Sequence, residues 1–121
     1  MVDRMSRVSE LIKREISMIV QTDIEDPKLF GVTITRVEVT RDLGSAKVYV
    51  TLPEGTADVS ARIKLLTTYA RFIRGELAGK VVLKHVPRLS FREDMLEAHS
   101  KSVDDLFDRI SKERGGMEQT P

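Results

Sequence analysis

Eight basic residues and a single acid, Glu76, lie between Arg62 and Arg92. The cations are Arg62, Lys64, Arg71, Arg74, Lys80, Lys84, Arg88 and Arg92. Lys and Arg at this density, with almost no carboxylate among them, suit a surface that tracks phosphates. Lys and Arg on a strand also deter edge-to-edge sheet pairing, so Lys80, Lys84, Arg88 and Arg92 admit that second reading. The formal charge of +1 for the 121 residues conceals the asymmetry: residues 1–92 carry sixteen basic and eleven acidic groups, whereas 93–121 carry four and eight. A basic body with an acidic end points to a polyanionic partner.

Bond-making chemistry has little to work with. There is no cysteine, hence no disulfide and no thiolate nucleophile. His85 falls on the inward phase of an alternating stretch beside Val86-Pro87 and reads as a half-buried structural histidine. His99 has Asp94 and Glu97 nearby, too few ligands for a metal site. Asp104, Asp105 and Asp108 read as a solvated helix face, because a calcium cage also needs a glycine turn and a bidentate glutamate at fixed offset. No P-loop, GxSxG or HExxH is present. Tyr49 and Tyr69 offer faces on which a base can stack, although either can equally be a packed amphipathic side chain. No metal, nucleotide or other cofactor is expected.

The elements that must carry the cations follow from periodicity. Met5, Val8, Ile12, Ile16 and Ile19 mark a first helix over residues 3–21, ending before Asp26-Pro27 because proline disfavours helical geometry in the residue ahead of it. In VTITRVEVT, Val32 and Ile34 hold one phase and Val37 and Val39 the other, so a bulge is expected near Thr35-Arg36. After the turn at RDLGS, Ala46, Val48, Val50 and Leu52 alternate cleanly, completing a hairpin. Thr56 or Asp58 then opens a helix whose inward stripe is Val59, Ile63, Leu66, Ala70, Ile73 and Leu77. Unbroken from Val59 to Ala78, it would run about 30 Å, longer than a typical strand, so a bend is expected at Thr67-Thr68-Tyr69 or at Gly75. Gly79 is the expected helix stop. A third strand is expected from about Lys80 to Phe91, an edge strand or an irregular one on account of Pro87, and parallel to the second because the connection is a crossover. Together these make one α+β domain with a three-stranded sheet. Its basic ridge, formed by the bent helices and the edge strand, should lie on the outside.

This α-β-β-α-α-β order is that of the prokaryotic, type II KH domain. Further residues narrow it: Arg7-Val8, Lys13-Arg14-Glu15-Ile16-Ser17, Asp26-Pro27, VTITRVEVTRDL with AKVYV, Phe72-Ile73-Arg74 with Glu76-Leu77, and Val86-Pro87 with Leu89 and Phe91. Over residues 4–110 the chain closely resembles the ribosome-binding factor A family of bacterial small-subunit assembly factors. The resemblance implies a KH-like fold without a GxxG loop, its place taken by an interhelical kink at an Ala-x-Gly motif. That motif falls on Tyr69, Ala70 and Arg71, so only a small residue at the bend is kept, and Arg71 adds charge there. The family's later Asp-x-Ser-x-x-x-Gly-x-Arg-Ile pattern is kept as Asp94 and Val103, with Leu96, Ser100 and Ser102 at its other places.

The resemblance further implies a non-enzymatic cytoplasmic monomer. It would bind the free or immature 30S small ribosomal subunit, assist late maturation and processing of 16S rRNA, and support growth in the cold. RNA would be held by the eight cations named above. The expected organisation is a KH-like RNA-binding domain over 1–92, an acidic helical extension over 93–114 beginning its helix at Ser102, and a disordered tail over 115–121. A protein-binding adaptor that engages a basic ribosomal protein through the acidic segment is the alternative. A small RNA-processing enzyme using His85 is a third reading. No run approaches the roughly 20 apolar residues of a membrane span, and no membrane partner is expected.

Overall fold

The computed structural model describes residues 4–96. The elements are α1 (Arg4–Thr22), β1 (Thr33–Val39), β2 (Ser45–Thr51), α2 (Val59–Thr68), α3 (Ala70–Lys80) and β3 (Arg88–Glu93), with a 3-10 turn at Pro27–Leu29. They occur in the order the sequence predicts, an α+β fold of the KH type. The sheet runs β1-β2-β3, with β1 and β2 antiparallel and β2 and β3 parallel.

The three helices cover one face of the sheet. α1 packs on β1 and α3, while α2 and α3 pack on β3. The core between them joins Ile12, Ile16 and Ile19 of α1, Leu66 of α2, and Ile73 and Leu77 of α3 to Val48, Val50, Leu89 and Phe91 of the strands. Fully burying each large aliphatic is worth about 1.5–3 kcal/mol, so this seam carries most of the fold's stability. Val59, Ile63 and Ala70 of the predicted stripe are half-buried at its margin.

The expected bulge is present. Ile34 pairs with Val50 and Arg36 with Tyr49, leaving Thr35 as the extra residue. Both Ile34 and Val37 thereby reach the core despite their opposite phases. At the hairpin turn, Asp42 accepts from the Gly44 amide at 2.9 Å and the Thr40 hydroxyl at 2.8 Å. The Gly44 amide first, and then the Thr40 hydroxyl, holds the Asp42 carboxyl below its ordinary range.

The long helix begins at Asp58, whose Oδ1 accepts from the Ala61 amide at 3.0 Å. It breaks at Tyr69 (φ −92°, ψ 2°), the first of the two predicted places. Just before the break, Thr67 donates to the Ile63 carbonyl at 2.9 Å and Thr68 to the Leu65 carbonyl at 2.6 Å. Hydroxyls turned back on their own helix compete with its ladder and favour a bend there. Gly75 lies inside α3, whose helix continues through it.

Three expectations for residues 79–93 are corrected. Gly79 does not stop the helix: α3 runs to Lys80, and Val81, in extended geometry, caps it with its amide on the Leu77 carbonyl. The third strand begins at Arg88, not near Lys80, because its parallel partner β2 begins at Ser45, which pairs with Arg88. Residues before Arg88 would have to pair with the hairpin turn, so Val81–Pro87 is an irregular connector. His85, expected half-buried on that strand, is exposed. β3 continues to Glu93, past the expected end at Phe91. The acidic extension, its predicted helix from Ser102, His99 and the tail lie outside the described residues, as does Asp3.

Candidate nucleic-acid interface

The break between α2 and α3 is braced from outside. Tyr69 caps the end of α2 and starts α3, and its hydroxyl donates to Asp26 Oδ2 at 2.8 Å. Asp26 Oδ1 meanwhile accepts from the Lys28 amide at 3.0 Å, capping the 3-10 turn. The Tyr69 hydrogen bond first, then the Lys28 amide and the charges of Lys28 and Arg62, hold the Asp26 carboxyl below its usual range. The same bond raises the Tyr69 phenol above its own. Of the predicted kink residues, Tyr69 is thus the brace, Ala70 a half-buried small residue, and Arg71 an exposed cation one step beyond.

The predicted cations fall on two faces rather than one ridge. On the helical layer, Lys64 and Arg71 are exposed, Arg62 is half-buried and Lys80 closes α3. Arg74 is exposed but occupied: its Nε donates to the Pro87 carbonyl at 3.1 Å and Nη2 to the Val86 carbonyl at 3.0 Å. That fork fixes the end of the connector bearing Lys84 and His85, both exposed. On β3, Leu89 and Phe91 point into the core, so Arg88 and Arg92 emerge on the opposite, uncovered face of the sheet. Among the described residues none of these eight cations is within salt-bridge distance of a carboxylate.

The uncovered face carries residues absent from the predicted set. Arg36, Tyr49 and Arg92 are direct cross-strand neighbours in one row. The Arg36 guanidinium lies 3.8 Å from the centroid of the Tyr49 ring, a stack that holds both side chains. Arg36 also pairs with Glu38, and its Nε lies 3.6 Å from Asp94 Oδ2. Asp94 is 3% exposed, accepts from the Thr35 hydroxyl, and takes the Leu96 amide on Oδ1 at 3.1 Å. The bulge serves this cluster by leaving Thr35 free of the ladder to meet Asp94. The sequence signal was the phase slip at Thr35-Arg36. Its partner, 59 residues on, was marked only by the family pattern.

Comparison with known proteins agrees with this architecture. The family model for ribosome-binding factor A matches residues 4–107. The chain belongs to the ribosome-binding factor A family. A ribosome-binding factor A from Desulforamulus reducens is 34% identical over 110 residues, spanning 91% of this chain and 92% of that relative. The crystal structure of ribosome-binding factor A from Thermus thermophilus superposes with a TM-score of 0.68 at 24% identity, covering 75% of this chain and 97% of that one. At that identity the likeness speaks for the fold. A homology model of the Thermus thermophilus ribosome binding factor A, fitted into a cryo-EM map of a 30S complex, matches with a TM-score of 0.57 and 27% identity over 69% of this chain and 88% of that one. No helix among the described residues is long and apolar enough to cross a membrane.

Proposed function

We propose that this ribosome-binding factor A family member binds the free or immature small ribosomal subunit and, without catalysis, favours one conformation of 16S rRNA during late maturation. The observation that carries the reading is the pair of exposed cations Lys64 and Arg71, which flank the braced helix break and have no carboxylate partner among the described residues. The relative fitted to a 30S complex supports the same partner. A binding protein shifts a conformational equilibrium by its difference in affinity for the two states, and needs no nucleotide or metal to do so. Lys84 on the connector and Lys80 at the end of α3 extend the same layer. The work would be done in the cytoplasm by a monomer, and would matter most in the cold, where misfolded rRNA corrects slowly.

The test is cosedimentation of the full chain with free small subunits, intact ribosomes and naked rRNA across a salt series. Lys64→Glu with Arg71→Glu should weaken binding to free subunits and reduce the log-log salt slope by about 0.7 for each phosphate interaction removed. Parental affinity and slope in that variant would remove the helical layer from the interface.

A further inference from the structure

We propose that the uncovered sheet face is a second RNA-binding surface, taking a single-stranded segment on the side of the domain opposite the helices. A groove of about 430 Å³ runs along the starts of β2 and β3, lined by Thr40, Ser45, Lys47, Ser90 and Arg92 together with Glu38. That volume is in the range of small-ligand sites and accommodates a nucleotide. Lys47 and Arg92 stand at its rim, exposed and without a carboxylate partner among the described residues. They offer two phosphate contacts, and the hydroxyls of Ser45 and of Ser90, which accepts from Arg92 Nε at 3.3 Å, offer partners for ribose and base edges.

The adjoining row makes the occupant an RNA rather than an acidic peptide. The Arg36 guanidinium lies over the Tyr49 ring, 3.8 Å from its centroid, and the side chain remains 37% exposed. Its remaining face is a guanidinium plane already held in orientation by Tyr49, Glu38 and Asp94. Unstacked bases bind such planes. An acidic peptide would use the charges of Lys47 and Arg92 but has no use for a flat cationic shelf. Arg36 and Arg92 are both neighbours of Tyr49 across the strands, so a base on the shelf would leave its phosphate beside Arg92. With α2 and α3 on the other side of the same sheet, the domain would sit between two RNA segments. This bridging role rests on the proposed RNA partner, whereas the sheet-face contact itself can be measured on isolated RNA.

The experiment uses the full chain and a short oligouridylate carrying 4-thiouridine, with the Lys47→Glu, Arg92→Glu double variant beside the Lys64→Glu, Arg71→Glu variant. Both sheet positions are exposed, and circular dichroism would verify that the variants fold. Photocrosslinks should map to Arg36, Tyr49 or Arg92. The sheet variant should lose about tenfold or more in oligonucleotide affinity, with a salt slope lower by about 1.4 for the removal of two single-strand phosphate interactions. For free subunits, the losses of the two variants should add in log units, as expected for separate surfaces. Crosslinks confined to α2, α3 and the Val81–Pro87 connector, with unchanged affinity in the sheet variant, would overturn the proposal and leave the helical interface standing. If the sheet variant lost subunit binding while oligonucleotide affinity and crosslinks stayed parental, the face would meet a protein, and the proposal would equally fail. Loss in the sheet variant with none in the helical variant would instead overturn the helical assignment.

Discussion

The Tyr69 hydroxyl donates to Asp26 Oδ2 at 2.8 Å, joining the break between α2 and α3 to the 3-10 turn that follows α1. The sequence placed Tyr69 at the bend and Asp26 at the end of the first helix, 43 residues apart, with nothing local to connect them. The bond fixes the angle at which Arg71 leaves the hinge. It therefore belongs to the stability of the fold and, on the proposed function, would also set how that cation is presented to RNA.

Its pH dependence has a definite sign. The Asp26 carboxyl is held below its ordinary value, so its contribution is complete above the unfolded-state range near ~4 and is lost as pH falls through the lower folded value. The raised Tyr69 phenol contributes fully below about pH 10 and loses that contribution as pH rises through the folded value. Tyr69→Phe should thus lower the melting temperature across pH 5–9. The gap from the parent should close as pH drops below about 4. A constant gap down to pH 2 would mean that the ring's packing, not the bond, sets the difference.

Asp94 anchors the opposite face. It is 3% exposed and receives the Thr35 hydroxyl and the Leu96 amide, with Arg36 Nε 3.6 Å away. Asp94→Ala leaves a buried guanidinium nitrogen without its counter-charge and should destabilise the domain by about 2 kcal/mol in urea denaturation. Arg36 is partly exposed and keeps Glu38, which holds the cost below the roughly 3–5 kcal/mol of a broken, fully buried pair. Asp94→Asn, which retains an acceptor for Thr35, should lose less. A change within about 0.5 kcal/mol, the usual range of an inconsequential surface substitution, would show that the bulge holds without the carboxylate.

Local pattern carried most of the fold. The stripe on α1, the alternation of β2, the slip at Thr35 and the Thr67-Thr68-Tyr69 break are all properties of neighbouring residues, and each is found where periodicity put it. The third strand failed because alternation at Val81, Leu83 and His85 records a tendency, whereas a strand needs a partner. The Arg88 amide bonds the Gly44 carbonyl at 2.9 Å, and beyond Gly44 the neighbouring chain turns away. The same limit applies to the site. Charge density marked Lys64 and Arg71, but the division of the cations between two faces depends on where β3 starts. The Arg36–Tyr49 stack depends on register across a bulge.

Two glycines make an internal control. Gly31 has φ +86°, and a Cβ added there would stand 2.5 Å from Pro53 Cγ. Gly31→Ala should cost more than about 1 kcal/mol, from left-handed strain and the push on Pro53. Gly75 lies within α3, with nothing within 4 Å of an added Cβ. Gly75→Ala should instead stabilise by about 0.5–1 kcal/mol through helix propensity. If thermal denaturation placed both changes on the same side of the parent, the backbone geometry assigned to one of them would be wrong.

Arg74 separates charge from scaffolding. Its two hydrogen bonds to the Val86 and Pro87 carbonyls require the planar fork of a guanidinium, which a lysine ammonium does not reproduce. Arg74→Lys should retain most of the salt dependence of subunit binding yet speed amide hydrogen exchange over the Val81–Pro87 connector. Arg74→Ala should do both, loosening the connector and reducing the slope. If the lysine variant exchanged as slowly as the parent while binding more weakly, Arg74 would be a direct contact and the connector would be ordered by other means. If instead exchange quickened in both variants and neither lost slope, Arg74 would serve only to hold Lys84 and His85 in place, and the phosphate contacts of the helical layer would narrow to Lys64, Arg71 and Lys80.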